Sequence, residues 1–94
     1  MANDWTTNPR VIDTAGNNGS LVENIKTLEW HPSAADDDLE VQDDAGNVLW
    51  KIRALAGAPN NEAEAIETKE INRRGVGGVV IVTIDGGTLY IHQI

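Results

Sequence analysis

Two β-branched runs near the end of the chain, Gly78–Ile84 and Thr88–Ile94, are separated only by Asp85-Gly86-Gly87. Glycine reaches the positive φ that tight turns need, so this spacing predicts an antiparallel hairpin over the last two strands. A second hairpin is predicted upstream. Leu39-Glu40-Val41-Gln42-Asp43 alternates apolar with polar, Asp44-Ala45-Gly46 supplies turn chemistry, and Asn47–Ile52 resumes with Val48, Trp50 and Ile52 on one face. Two such units confine the chain to a β architecture.

The remaining segments fit that frame. Residues 1–20 read as an extended polar N-terminal arm broken by the short apolar patch Arg10-Val11-Ile12. Leu21–Trp30 reads as a strand in which Val22, Leu28 and Trp30 share a parity that Ile25 breaks, the mark of a bulge or of burial on both faces. Pro32 stops it, because proline cannot donate to a ladder. Residues 57–65 form a polar insertion, with at most one helical turn at Glu62–Ile66. Glu67–Asn72 is a weaker strand and Arg73-Arg74-Gly75 a turn. The expectation is an all-β fold, a small sandwich or barrel of about six or seven mostly antiparallel strands over residues 21–94. Its expected core is Val41, Val48, Trp50, Ile52, Val80, Val82 and Leu89, with no helix longer than two turns.

At 94 residues the chain is one domain, able to bury roughly 60–65% of its unfolded surface. Fifteen acidic against seven basic residues give a formal charge of −8, which repels nucleic acid and anionic membrane surfaces. The absence of cysteine excludes disulfides and thiolate metal ligands. No apolar run reaches membrane-spanning length, and Met1-Ala2-Asn3-Asp4 lacks a signal-peptide core, so a soluble product made in a cytoplasm is expected.

Four features could carry chemistry. Asp36-Asp37-Asp38, with Asp43 and Asp44, offers hard oxygen ligands, but the calcium-loop spacing is absent and aspartate is favoured in turns for its own backbone hydrogen bonds. His31 and His92 are the only imidazoles, and a mixed metal site would need carboxylates brought from distant loops, so both read as surface residues. No serine lies in a nucleophile elbow. Gly75-Val76-Gly77-Gly78 lacks the lysine of a phosphate loop and precedes a strand, which makes it bend or bulge glycine. No enzyme, metal site or cofactor is expected. The residues expected to bind a partner are Trp5, Pro9, Arg10, Val11 and Ile12 of the arm, which adds little to the core and orders along a neighbour, and Arg73 and Arg74 as an anchor for an acidic surface.

The string Ile25-Lys26-x-Leu28-x-Trp30, then Leu39-x-Val41-x-Asp43-x-x-Gly46-x-Val48-Leu49-Trp50, then Val80-x-Val82-Thr83-x-x-x-Gly87-x-Leu89-Tyr90-Ile91, resembles small β-rich virion proteins of tailed phages. The resemblance covers residues 21–94. It implies a capsid decoration protein on the exterior of the virion, whose partner is the assembled major capsid protein lattice. It also implies a homotrimer, which the three tryptophans and Ile94 in so small a chain favour independently. The alternative is a tail or baseplate component or a host-surface binding module, presenting residues 31–38 and 57–65 as recognition loops.

Overall fold

A computed structural model describes residues 3–19, 21–54 and 66–94. They form eight strands: β1 (Arg10–Ile12), β2 (Gly16–Asn17), β3 (Val22–His31), β4 (Asp38–Asp43), β5 (Val48–Arg53), β6 (Glu67–Gly77), β7 (Val79–Ile84) and β8 (Thr88–Gln93). One antiparallel sheet has the order β1-β8-β3-β6 and the other β2-β7-β4-β5. They pack face to face as a sandwich with open edges and do not close into a barrel. No helix occurs among the described residues. The expected loop at 57–65 and the helical turn at Glu62–Ile66 fall almost wholly outside them.

The upstream hairpin forms as expected. Leu39 pairs with Ile52 and Val41 with Trp50, and the turn is closed by the amide of Gly46 donating to the carbonyl of Asp43 at 3.1 Å. The closing hairpin does not form. β7 and β8 belong to different sheets, so Asp85-Gly86-Gly87 is an arch that carries the chain across the sandwich. Turn-forming residues between two apolar runs serve either geometry, and the choice is made by the arch's contacts. The Trp30 indole donates to the Gly86 carbonyl at 3.1 Å. Gly87, at φ 80°, lies so close to His31 that a Cβ there would collide with its carbonyl oxygen.

The core is built from alternate residues of both sheets, with Ile25, Leu28, Trp30, Leu39, Val41, Ile81, Leu89 and Ile91 wholly or almost wholly buried. Of the expected core, Val41, Trp50 and Leu89 are buried and Ile52 packs against the cluster. Val48 and Val82 are instead exposed, at 54% and 44%, and Val80 is half-buried. A bulge explains Val48, since one extra residue flips every side chain beyond it, whereas Val80 and Val82 face outward by plain alternation with the buried Val79 and Ile81. Val41 pairs with Trp50 and Gln42 with Val48, so Leu49 is supernumerary and turns inward beside Trp50 while Val48 turns out. On the other side of β4, Glu40 pairs with Thr83 and Val41 with Ile81, so the register shifts at Val82, a residue that alternation with Ile81 already sets on the outer face. The irregularity read at Ile25 is a third bulge, between Ile25 and Thr27.

Arg73-Arg74-Gly75 is not a turn. It lies inside β6, where Asn72 and Gly75 adopt positive φ of 51° and 69° and the register against β3 shifts, so the strand is bulged but continuous. The chain changes sheets at Gly78, whose φ is 52° and where a Cβ would lie 2.6 Å from the Gly19 carbonyl oxygen.

The polar segment at the start is built into the sandwich. β1 pairs with β8 at the edge of one sheet, β2 pairs with β7 at the edge of the other, and Ile12 between them has no exposed surface. These two short strands raise the count from the expected six or seven to eight. They run through polar sequence because an edge strand needs only one paired backbone side and one inward residue.

Candidate functional site

Three arrangements of polar side chains stand out. The first is inside the protein. Glu23 alternates with Ile25 on the inner face of β3 and is completely buried. Arg10 faces the same way because it pairs with Ile91, and its Nη2 lies 3.2 Å from Glu23 Oε1. Asn18 donates to Glu23 Oε2 at 2.9 Å, and Gln93 donates to Oε1. One carboxylate thereby gathers donors from β1, β8 and the loop after β2, which is the satisfaction a buried charge requires.

The second lies on the outer face of the β1-β8-β3-β6 sheet. Glu29 Oε2 is 2.5 Å from His31 Nε2 and Glu29 Oε1 is 2.9 Å from His92 Nε2, so the only two imidazoles of the chain share one carboxylate. The His31 ring also meets Tyr90 edge-on at 5.1 Å between centroids. The hydrogen bond from His31, aided by that from His92, holds the Glu29 carboxyl below its ordinary range against the desolvation of its position. The cluster ties β3 to β8 across the middle of the sheet. Among the described residues, no group of three or more histidine, cysteine, aspartate or glutamate side chains is arranged to hold a metal ion.

The sequence contained the signal for this cluster. Glu29 and His31 are two apart on one strand, as are Tyr90 and His92 on another, so each pair shares a face. The register then sets Glu29 opposite Tyr90 and Thr27 opposite His92. The expected hairpin assigns one edge of β8 to β7 and leaves the other open, so nothing in the sequence sets the two pairs opposite each other.

The third is the edge strand β6. Among the described residues its backbone pairs with β3 on one side only, which leaves the backbone groups of alternate residues along its other side without a ladder partner. Lys69, Arg73 and Arg74 are exposed along it, with Lys26 exposed on the adjacent strand. None of the four donates a hydrogen bond or closes an ion pair among the described residues. Elsewhere on the surface the bases have partners: Arg53 grips Asp38 at 2.8 Å, which holds that carboxyl below its ordinary range, and Lys51 reaches Glu40 at 3.9 Å. Arg73 acts at longer range, helping to lower the Asp43 carboxyl, whose main support is the hydrogen bonds from Asn47.

The residues singled out from the sequence divide accordingly. Trp5 is half-buried and packs against the core, and Pro9 follows a cis peptide bond after Asn8. Arg10 is engaged with Glu23, Val11 turns outward opposite Tyr90, and Ile12 is spent in the core. These five lie together at the β1 edge. Arg73 and Arg74 lie on β6, the opposite edge, with β8 and β3 between. Of these seven, Arg73 and Arg74 present to solvent a charge that is unpaired among the described residues. Comparison with known proteins adds nothing to this geometry: no family model matches the chain, and no curated protein or solved structure matches it significantly.

Proposed function

We propose that this chain is a structural accessory of a virion, a non-catalytic decoration protein that sits on the capsid exterior and attaches to the assembled lattice through its β6 edge. One observation carries the reading. In a protein of charge −8, Lys69, Arg73 and Arg74, without hydrogen-bond or ion-pair partners among the described residues, share an edge strand with only two acids, Glu67 and Glu70, and Lys26 is exposed on the strand beside it. Unpaired surface cations in an acidic protein favour an acidic protein surface over a nucleic acid, from which the remaining charge repels the molecule. An open edge also offers backbone donors and acceptors, the groups through which strand addition proceeds. The resemblance of residues 21–94 to small phage virion proteins supplies the identity of the lattice, and a rigid sandwich suits a role that needs complementarity and no moving parts.

The test is co-sedimentation with expanded capsids and, in parallel, with isolated shell subunits. A site built by several subunits meeting exists only after assembly, so binding to capsids and not to free subunits is expected. It should also raise the temperature at which capsids melt, because the ligand favours the intact lattice. Attachment to host cells or to purified tails, with none to capsids, would replace this reading with the tail or receptor-binding one.

A further inference from the structure

We infer that Asn18-Gly19 is a modification site that the fold holds closed: it deamidates only when the loop after β2 opens, and the acid so formed prevents that loop from closing again. An asparagine followed by glycine is the side-chain amide most prone to loss as ammonia, because glycine has no side chain to keep its backbone nitrogen from the neighbouring amide carbon. Asn18-Gly19 is the single such pair in the sequence, and Gly19 lies in an exposed turn that water reaches. In the reaction the Gly19 nitrogen bonds to Asn18 Cγ, the Cγ–Nδ2 bond breaks, and Nδ2 leaves as ammonia with the Gly19 proton. Water then opens the cyclic imide to aspartate or to isoaspartate, whose main chain is longer by a methylene.

Hydrogen bonds, not burial, keep the reacting atoms apart. Both hydrogens of Asn18 Nδ2 are used, one on the Leu21 carbonyl at 3.0 Å and one on Glu23 Oε2 at 2.9 Å. Asn18 Oδ1 accepts from the Val79 amide at 2.7 Å, and the Asn18 amide donates to the Val79 carbonyl at 3.1 Å. The Gly19 amide, which would have to attack, donates instead to Asn17 Oδ1 at 2.9 Å. The side chain is thereby fixed between β3 and β7, strands of different sheets, while the nucleophile is turned elsewhere. A near-attack geometry requires both to let go.

The product does not fit the place its parent held. A carboxylate at position 18 offers no hydrogen to Leu21 or Glu23, and it sets a second negative charge where the amide now lies 2.9 Å from a carboxylate with no exposed surface. The other charged groups at this corner are Arg10, 3.2 Å from Glu23, and Asp44, which borders Gly78 together with the Gly19 carbonyl. One cation would then face three carboxylates. Isoaspartate, with its longer main chain, also breaks the backbone pairing with Val79.

Peptide mapping by mass spectrometry tests the inference on the full chain, held at mildly alkaline pH in buffer and in urea. Conversion at Asn18 should be more than about tenfold slower in buffer than in unfolding urea, because the reactive state is the opened one. It should accelerate in urea concentrations still below the unfolding midpoint. Equal rates in buffer and in unfolding urea would overturn the inference. Asn18→Asp reads the effect of the product. Its urea midpoint at neutral pH should shift well below that of the wild type, and the gap should narrow as acid protonates one of the two facing carboxyls. Asn18→Ala, which loses the same donor without adding charge, should show a deficit that does not narrow in this way. Adding Glu23→Gln to Asn18→Asp removes the opposing charge and supplies a donor, so it should recover stability even where Asn18→Asp alone is unfolded. An Asn18→Asp protein as stable as the wild type, or one that Glu23→Gln fails to rescue, would overturn the inference as well.

Discussion

Arg10 on the edge strand β1 meets Glu23 on β3 inside the sandwich, its Nη2 3.2 Å from a carboxylate oxygen with no exposed surface. The pair fastens the start of the chain to the third strand of the same sheet from within. Removing one partner of a buried ion pair leaves the other charge stranded, which costs about 3–5 kcal/mol. Arg10→Ala should therefore lower the urea midpoint severely. Arg53→Ala, which breaks the exposed pair with Asp38, should cost no more than about 1 kcal/mol. Deleting residues 1–20 should unfold much of the domain, since it removes Ile12 from the core along with Arg10.

The arch makes a different demand. Gly87 combines a φ of 80° with backbone packed against the position a Cβ would take, whereas Gly46, at φ 90°, has nothing within 4 Å of that position. Gly46→Ala should cost only the left-handed penalty of about 1–2 kcal/mol. Gly87→Ala adds a collision with His31 that no side-chain movement relieves, and thermal melts should show it far less stable or unfolded.

Neighbours in β5 give the clearest check on the bulges. Leu49 is 8% exposed and Val48 54% exposed, the reverse of what alternation through Trp50 requires. Leu49→Ala should destabilise by about 2–5 kcal/mol. Val48→Ala should fall within roughly 0.5 kcal/mol of the wild type. Chemical denaturation of the two variants, compared at equal m-value, reads the difference directly.

These residues also show how far the sequence could be read. The β class, the hairpin around Asp44-Ala45-Gly46 and the end of β3 at His31 were legible because each rests on local chemistry: period-two burial, turn residues, a proline. The partner of β8 was not, because Asp85-Gly86-Gly87 satisfies a hairpin and an arch equally, and the contacts that decide come from Trp30 and His31, more than fifty residues away. The outward turn of Val48 was hidden for a related reason. A bulge shifts parity without changing composition, and only the register against β4 reveals the extra residue. Of the candidate partner-binding residues, Arg73 and Arg74 stand free in solvent, while Arg10 and Ile12 were read as an arm because a short edge strand needs so little apolar sequence.

Acid should weaken the fold in part through Glu29. Its folded carboxyl titrates below the unfolded one, chiefly through the hydrogen bond from His31. A depressed carboxylate contributes stability above the unfolded pKa of about 4.3, and that contribution is lost as pH falls through the folded value. Glu29→Gln should therefore be less stable than the wild type at neutral pH, and the two should converge as pH falls through the lowered folded value. The acid limb should become shallower in the variant without disappearing, because Asp4, Asp38 and Asp43 are shifted in the same direction. Urea midpoints across the pH range measure both effects.

Attachment through the β6 edge makes a prediction that stability measurements cannot imitate. Arg73 and Arg74 are exposed and make no hydrogen bond or ion pair among the described residues, so reversing both to glutamate should move the melting temperature little. If those charges face an acidic lattice, the double reversal places like charges together across the contact, a penalty of several kcal/mol. The fraction co-sedimenting with capsids should then collapse. Raising salt should weaken wild-type attachment, because exposed charges are screened beyond a Debye length of about 10 Å at 0.1 M. Reversing Lys51 and Arg53 supplies the control: the change in net charge is the same, but it falls on the other sheet. If that control loses capsid binding as fully as the Arg73 and Arg74 variant does, the effect is one of overall charge and the β6 edge is not the contact. If neither variant loses it, attachment does not run through these cations at all.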